Sequence, residues 1–171
     1  MMKYLLLLLF IFPYYCIAQE IKTNEVDGFT KERTIHTSIV SLKAAYTTGM
    51  GLSLSSVGNH FLVNIVGYGT GIGAVRKTDF VYFLMDDGLI LTATSIGDQP
   101  ENEGGLTRVY QHHYLLRLKD VQDLQNKKVV LVRLTTPAGN LDIEVSKKTA
   151  KQIRKLGEIF LKEVAKTPPG S

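Results

Sequence analysis

A chain of 171 residues, 44 % of them hydrophobic, is enough for one domain with a core of its own. Its one cysteine, Cys16, lies in a segment expected to be removed, so the mature chain is expected to have no disulfide, thiol nucleophile or thiolate metal site. The formal net charge of +4 is unevenly spread: residues 19–126 hold 9 Lys and Arg against 12 Asp and Glu, and residues 127–171 hold 10 against 4. The basic character therefore belongs to the C-terminal part.

The chain opens with Lys3, an unbroken apolar run over residues 5–12, Pro13, and then Cys16-Ile17-Ala18. A short positive region, an apolar stretch and small residues at −3 and −1 predict a secretory signal peptide over residues 1–18, cleaved between Ala18 and Gln19. The apolar run is too short to span a bilayer as a mature helix. A lipoprotein signal would place Cys16 at +1, but Tyr14 and Tyr15 in front of it fit that peptidase poorly, so lipid anchoring is the lesser reading. The expected location is the periplasm or the cell surface.

Residues 19–32 are polar, with an Asp27-Gly28 turn signal, and are expected to form a flexible N-terminal arm before a single domain over residues 33–166. Residues 33–42 alternate, with Ile35, Thr37 and Ile39 on one face and His36, Ser38 and Val40 on the other, and predict a first strand. Residues 46–51 read as a loop. Leu52, Ser53, Leu54 and Ser55 alternate as a half-solvated strand does. Gly58-Asn59 signals a hairpin, and residues 61–66 pair back. Two further runs, residues 80–85 and 89–94, flank Asp86-Asp87-Gly88, whose Asp-Gly pair suits a type I′ turn. A meander running from residue 33 to residue 94 is the expected topology.

Residues 96–106 contain Pro100, three glycines and three acids, and read as a mobile surface loop. Residues 107–116 return to strand-type residues. Asp120 is a candidate N-cap for a single helical turn over residues 120–124. Residues 129–134 form another strand, 137–140 a turn, and 141–146 an edge or half-exposed last strand. Ser146 then caps a helix whose Ala150, Ile153, Gly157, Phe160 and Val164 share one stripe, with Leu156 and Leu161 beside it. Lys147, Lys148, Lys151, Arg154, Lys155 and Lys162 take the remaining surface. Pro168 and Pro169 stop the helix before a disordered tail over residues 167–171. The fold class is therefore α+β, a mostly antiparallel sheet of about seven strands with the C-terminal amphipathic helix packed on one face.

Several patterns resemble functional sites, and each has a simpler explanation. Gly69, Gly71 and Ala74 match a G-x-G-x-x-A dinucleotide fingerprint after an apolar strand. No helix follows, so the passage reads as a glycine-rich connection between strands, with anion binding beside Arg76 and Lys77 as the lesser reading. His112 and His113 are adjacent on a strand, so they point to opposite faces and cannot share one metal ion, and His36 and His60 have no ligand spacing to them. Asp86 and Asp87 resemble paired carboxylates, but the turn accounts for them. Residues 53–56 supply serines on what reads as the wet face of a strand. No G-x-S-x-G motif is present. These readings assign no catalytic, cofactor-binding or metal-binding residue and no cofactor.

The signal peptide, the hairpin FVYFLMDDGLILTAT, the strand pair VVLVRLTTPAGNLDIEV and the helix KTAKQIRKLGEIFLKEV together resemble small exported proteins of unknown function from Gram-negative bacteria. The resemblance implies a periplasmic or cell-surface location and no particular activity. The expected function is that of a non-catalytic binding or interaction module, whose partner is an envelope protein or a small ligand and not nucleic acid. A weak contact between the basic helix and an anionic membrane surface is a further expectation. The alternatives are a periplasmic hydrolase with a site scattered over strands and a carrier of an apolar ligand between sheet and helix.

Overall fold

The computed structural model describes residues 19–44, 48–69, 75–97 and 109–166. Ten strands and two helices occupy them: β1 Ile21–Val26, β2 Arg33–Thr37, β3 Val40–Ala44, β4 Gly49–Val57, β5 His60–Tyr68, β6 Phe80–Met85, β7 Ile90–Ser95, β8 Val109–Leu116, α1 Leu118–Asn126, β9 Val129–Thr136, β10 Gly139–Glu144 and α2 Lys147–Val164. All strand pairs are antiparallel, in the order β1-β2-β4-β5-β8-β7-β6-β9-β10, with β3 also paired to β4. The α+β class and the C-terminal helix are as expected. The strands number ten rather than about seven; among the differences, residues 21–26 form β1 where a loose arm was expected, and the expected first strand is split in two.

The split has a local cause. His36 pairs with Ser55 and Val40 with Leu52, so four residues advance on one side while three advance on the other. This one-residue bulge interrupts the ladder between β2 and β3. The Thr37 hydroxyl fills the gap, accepting from Leu54 N (2.9 Å) and donating to Leu54 O (3.1 Å). Ser38 meanwhile bonds back to Glu20 through N–H and hydroxyl. The bulge also reverses the faces: Val40 is buried and Ile39 turns out to solvent, opposite to a continuous alternation through residues 33–42.

The meander expected over residues 33–94 holds for β2–β5 and for the β6–β7 hairpin, but β5 does not pair with β6: β8 lies between β5 and β7. Strands β5–β8 thus form a Greek key. The turn between β6 and β7 is a three-residue loop. Gly88 N bonds Met85 O, and Gly88 takes φ +85° while Asp87 does not have positive φ. This is a type I turn followed by a left-handed glycine, not the expected type I′ turn. Residues 49–51, expected in a loop, are the start of β4.

One sheet face packs on the helices. Ile153, Leu156 and Phe160 of α2 and Val121 and Leu124 of α1 are fully buried against Leu52, Val63, Ile65, Phe83 and Val132. Phe160 meets Phe61 edge to face at 6.2 Å. α2 touches β1–β4 from one end of the sheet and β9 near the other, so the sheet curves about the helix. Ser146 caps α2 as expected, its hydroxyl accepting from Thr149 N at 3.1 Å. The other end is held by Arg33, which donates to the carbonyls of Glu163 and Lys166, to the Glu163 carboxylate and to Asn24 Oδ1. A cation there answers the negative end of the helix dipole. The shorter helix differs from expectation. α1 begins after Arg117, and Asp120 is its third residue rather than its N-cap, with its carboxylate accepting from Arg117 N and from the Arg117 guanidinium.

The expectations for the signal peptide and Cys16, for most of the 96–106 loop and for residues 167–171 lie outside the described residues. Among the described residues no helix is long and apolar enough to cross a membrane.

Candidate functional site

Strand alternation leaves a second sheet face turned away from the helices. On it β4 presents Gly49, Gly51, Ser53 and Ser55, β5 presents Leu62, Asn64, Val66 and Tyr68, and β8 presents Gln111, His113 and Leu115. Two features stand side by side there, a groove and a polar network.

The groove has a volume of about 330 Å³ and is lined by Ile39, Ser41 and Lys43 from the β3 side, residues 49–51 of β4, and residues 66–68 of β5. Its floor exists because Gly49 and Gly51 fall two apart on one strand and so share a face. A Cβ on Gly49 would run into the Tyr68 ring, and one on Gly51 into Ile39 Cγ2. The two side chains lie over bare backbone and form the opposite walls. Ile39 is 51 % exposed and Tyr68 41 %. The groove starts at β3, which among the described residues has a strand partner only on its β4 side.

Next to the groove, Asn64 Nδ2 donates to Ser55 Oγ (3.0 Å) and to Ser53 Oγ (3.3 Å), and Asn64 Oδ1 lies 2.6 Å from His113 Nδ1. An amide oxygen can only accept, so His113 carries its proton on Nδ1 and Nε2 is the acceptor of the neutral ring. Burial, and then the charge of His36 across the face, lowers the His113 pKa from 6.5. Ser55 and Asn64 are each 1 % exposed, which corrects the expectation of a wet serine face. Ser53 and Ser55 belong to a hydrogen-bond network with Asn64, as buried polar groups require. Chemically it fixes side-chain positions: an amide N–H on a serine oxygen does not raise its nucleophilicity, and the histidine Nδ1–H is committed to an amide, not to a carboxylate.

The inner face carries the other aromatic residues of β8. Tyr110 stacks on His112 at 5.5 Å, and both are buried, as is Tyr114. Burial pushes the Tyr110 hydroxyl up to about 12, and burial with nearby Asp79 and Tyr110 raises that of Tyr114. The Tyr114 hydroxyl has no hydrogen-bond partner among the described residues. This layer is core.

The sequence candidates scatter. His112 and His113 do face opposite sides, His36 shares the outer face with His113, and His60 is exposed at the β4–β5 turn. Among the described residues no three His, Cys, Asp or Glu side chains converge as a metal set. Asp86 and Asp87 pair with Lys128 and Lys127, which join α1 to β9. Hydrogen bonds from Lys127 and from Leu89 N lower the Asp87 pKa. Gly69 has φ +94°, whereas Gly71 and Ala74 lie outside the described residues, so the fingerprint is not described as a unit. Sequence reasoning missed the groove and Asn64. The available signals were the i, i+2 glycines at 49 and 51 and one amide inside an otherwise apolar strand.

Comparison of the chain with protein-family models, with curated proteins and with solved structures found no match.

Proposed function

We propose that this chain is an exported, non-catalytic binding module of the cell envelope that takes a short extended segment of a partner protein. The segment pairs with the outer edge of β3 and leans an apolar side chain over the short Ser41 into the groove. The observation that carries this reading is the groove itself: apolar walls over a glycine floor, opening at a strand edge. Strand addition of this kind draws affinity from main-chain hydrogen bonds and specificity from pockets for alternate side chains. Lys43 at the groove's rim favours an acidic residue next to the apolar one. A ligand carried between sheet and helix has less support, because that interface is filled by fully buried Ile153, Leu156, Phe160, Leu52 and Ile65.

The test is selection of displayed peptides on residues 19–171, followed by binding of the winners to Ile39→Glu. The expected result is a shared apolar residue in a β-prone context and loss of binding in the variant with the far-ultraviolet spectrum unchanged. No enrichment at low salt, or equal binding to Ile39→Glu, would sink the reading.

A further inference from the structure

We infer that the outward face of α2 docks on an anionic phospholipid bilayer. This goes beyond the peptide-binding reading and does not depend on it. Lys147, Lys148, Lys151, Arg154, Lys155 and Lys162 are all exposed, and they fall within an arc of about 120° of the helix. That arc lies opposite the stripe of Thr149, Ile153, Leu156 and Phe160 buried on the sheet. The charges therefore stand on the outermost surface of the molecule, along roughly 22 Å of helix.

The stripe is of one sign and largely uncompensated. Glu158 is the one acid within it and pairs with Lys155 at 3.0 Å. Among the described residues Lys147, Lys148, Lys151 and Lys162 have no carboxylate partner, and Arg154 donates to the Gln125 carbonyl. Several lysines elsewhere are neutralised locally, as Lys119, Lys127, Lys128 and Lys166 are by Asp123, Asp87, Asp86 and Glu163. Beside the stripe a polar cleft of about 310 Å³ separates the end of α1 from α2, lined by Gln125, Asn126, Lys151, Arg154, Lys155 and Glu158. It has room for a headgroup phosphate among three cations, with Glu158 on its wall.

Three features favour a lipid surface over another polyanion. The face is a straight row rather than a groove that could track a strand of nucleic acid. It has no aromatic side chain on which a base could stack. Five of its six cations are lysines, whose compact mobile charges suit a fluid array of headgroups better than a fixed bidentate pattern. The apolar face of α2 is already spent on the sheet, so the contact is electrostatic, reversible and salt-sensitive, without insertion.

Vesicle co-sedimentation of residues 19–171, which contain every described element, tests this. Binding is expected to phosphatidylcholine vesicles carrying about one-third phosphatidylglycerol and not to pure phosphatidylcholine, and it should weaken as salt rises from low to about 0.15 M. The triple variant Lys147→Gln, Lys151→Gln, Lys162→Gln should lose on the order of 100-fold in affinity, at about 5-fold per lysine. The control triple Lys22→Gln, Lys119→Gln, Lys128→Gln should keep it. Equal binding to neutral and anionic vesicles, unchanged binding of the α2 variant, or retention on heparin with none on vesicles would each overturn the inference. Circular dichroism of both variants separates lost docking from lost folding.

Discussion

Replacing Gly67 by alanine sets two physical effects against each other, and the structure decides their sign. Gly67 sits inside β5, where a glycine normally costs stability relative to alanine by roughly 0.5–1 kcal/mol. On strand propensity alone the substitution stabilises. On the inner face, however, Gly67 lies directly opposite Tyr110. An added Cβ would sit inside contact distance of Tyr110 Oη and Cζ and 2.7 Å from the Gly49 carbonyl oxygen. The ring cannot simply retreat, because Tyr110 is 3 % exposed and stacked on fully buried His112. The Gly49 carbonyl belongs to the neighbouring strand and moves only with it. Overpacking of this kind costs about 1–3 kcal/mol. Set against the gain in propensity, the net expectation is a loss of about 1–2 kcal/mol. In a domain of this size that lowers the melting temperature by roughly 2–8 °C. Urea unfolding followed by circular dichroism measures it, with the slope of the transition checked for constancy. A midpoint equal to or above the parent's would refute the claim that Tyr110 is packed on bare backbone.

Other substitutions probe separate parts of the argument. Arg33→Met removes the donors that hold the end of α2 to β1 and β2 and should cost about 1.5–3 kcal/mol; an unchanged thermal midpoint would show that the helix end is held by its apolar face alone. A Cβ on Gly88 meets no atom within 4 Å, so the cost of Gly88→Val is assigned to φ +85° and should exceed about 1 kcal/mol. Gly88→Asn, which tolerates that region, should cost less, and chemical denaturation of the pair checks the order. For His113 the folded pKa is lowered from 6.5 by burial and by His36. The unfolded chain therefore takes up the proton first as pH falls. Stability from this group is complete above 6.5 and declines below it, so urea midpoints across mildly acidic pH should fall in the parent and fall less in His113→Gln.

The sequence determined the local structure well wherever one residue's chemistry or one period sufficed. The 3.6-residue stripe and Ser146 announced α2, because a helix makes its own hydrogen bonds and needs only a cap and a core to face. Asp-Gly and Gly-Asn announced hairpins, because φ above zero is a property of the glycine itself. Opposite orientations of His112 and His113 followed from strand alternation alone. Strand order was not legible, since nothing local distinguishes a meander from the Greek key that places β8 beside β5. Nor was the burial of Ser55 and Asn64, which depends on which strands flank them. The groove belongs wholly to the tertiary structure. Alternation puts Ile39 on the core face, and only the one-residue bulge at the β2–β3 break turns it outward over Gly51. A pairing register is a property of two strands together, so a single strand's pattern could show that Ile39 is apolar but not on which side of the sheet it would stand.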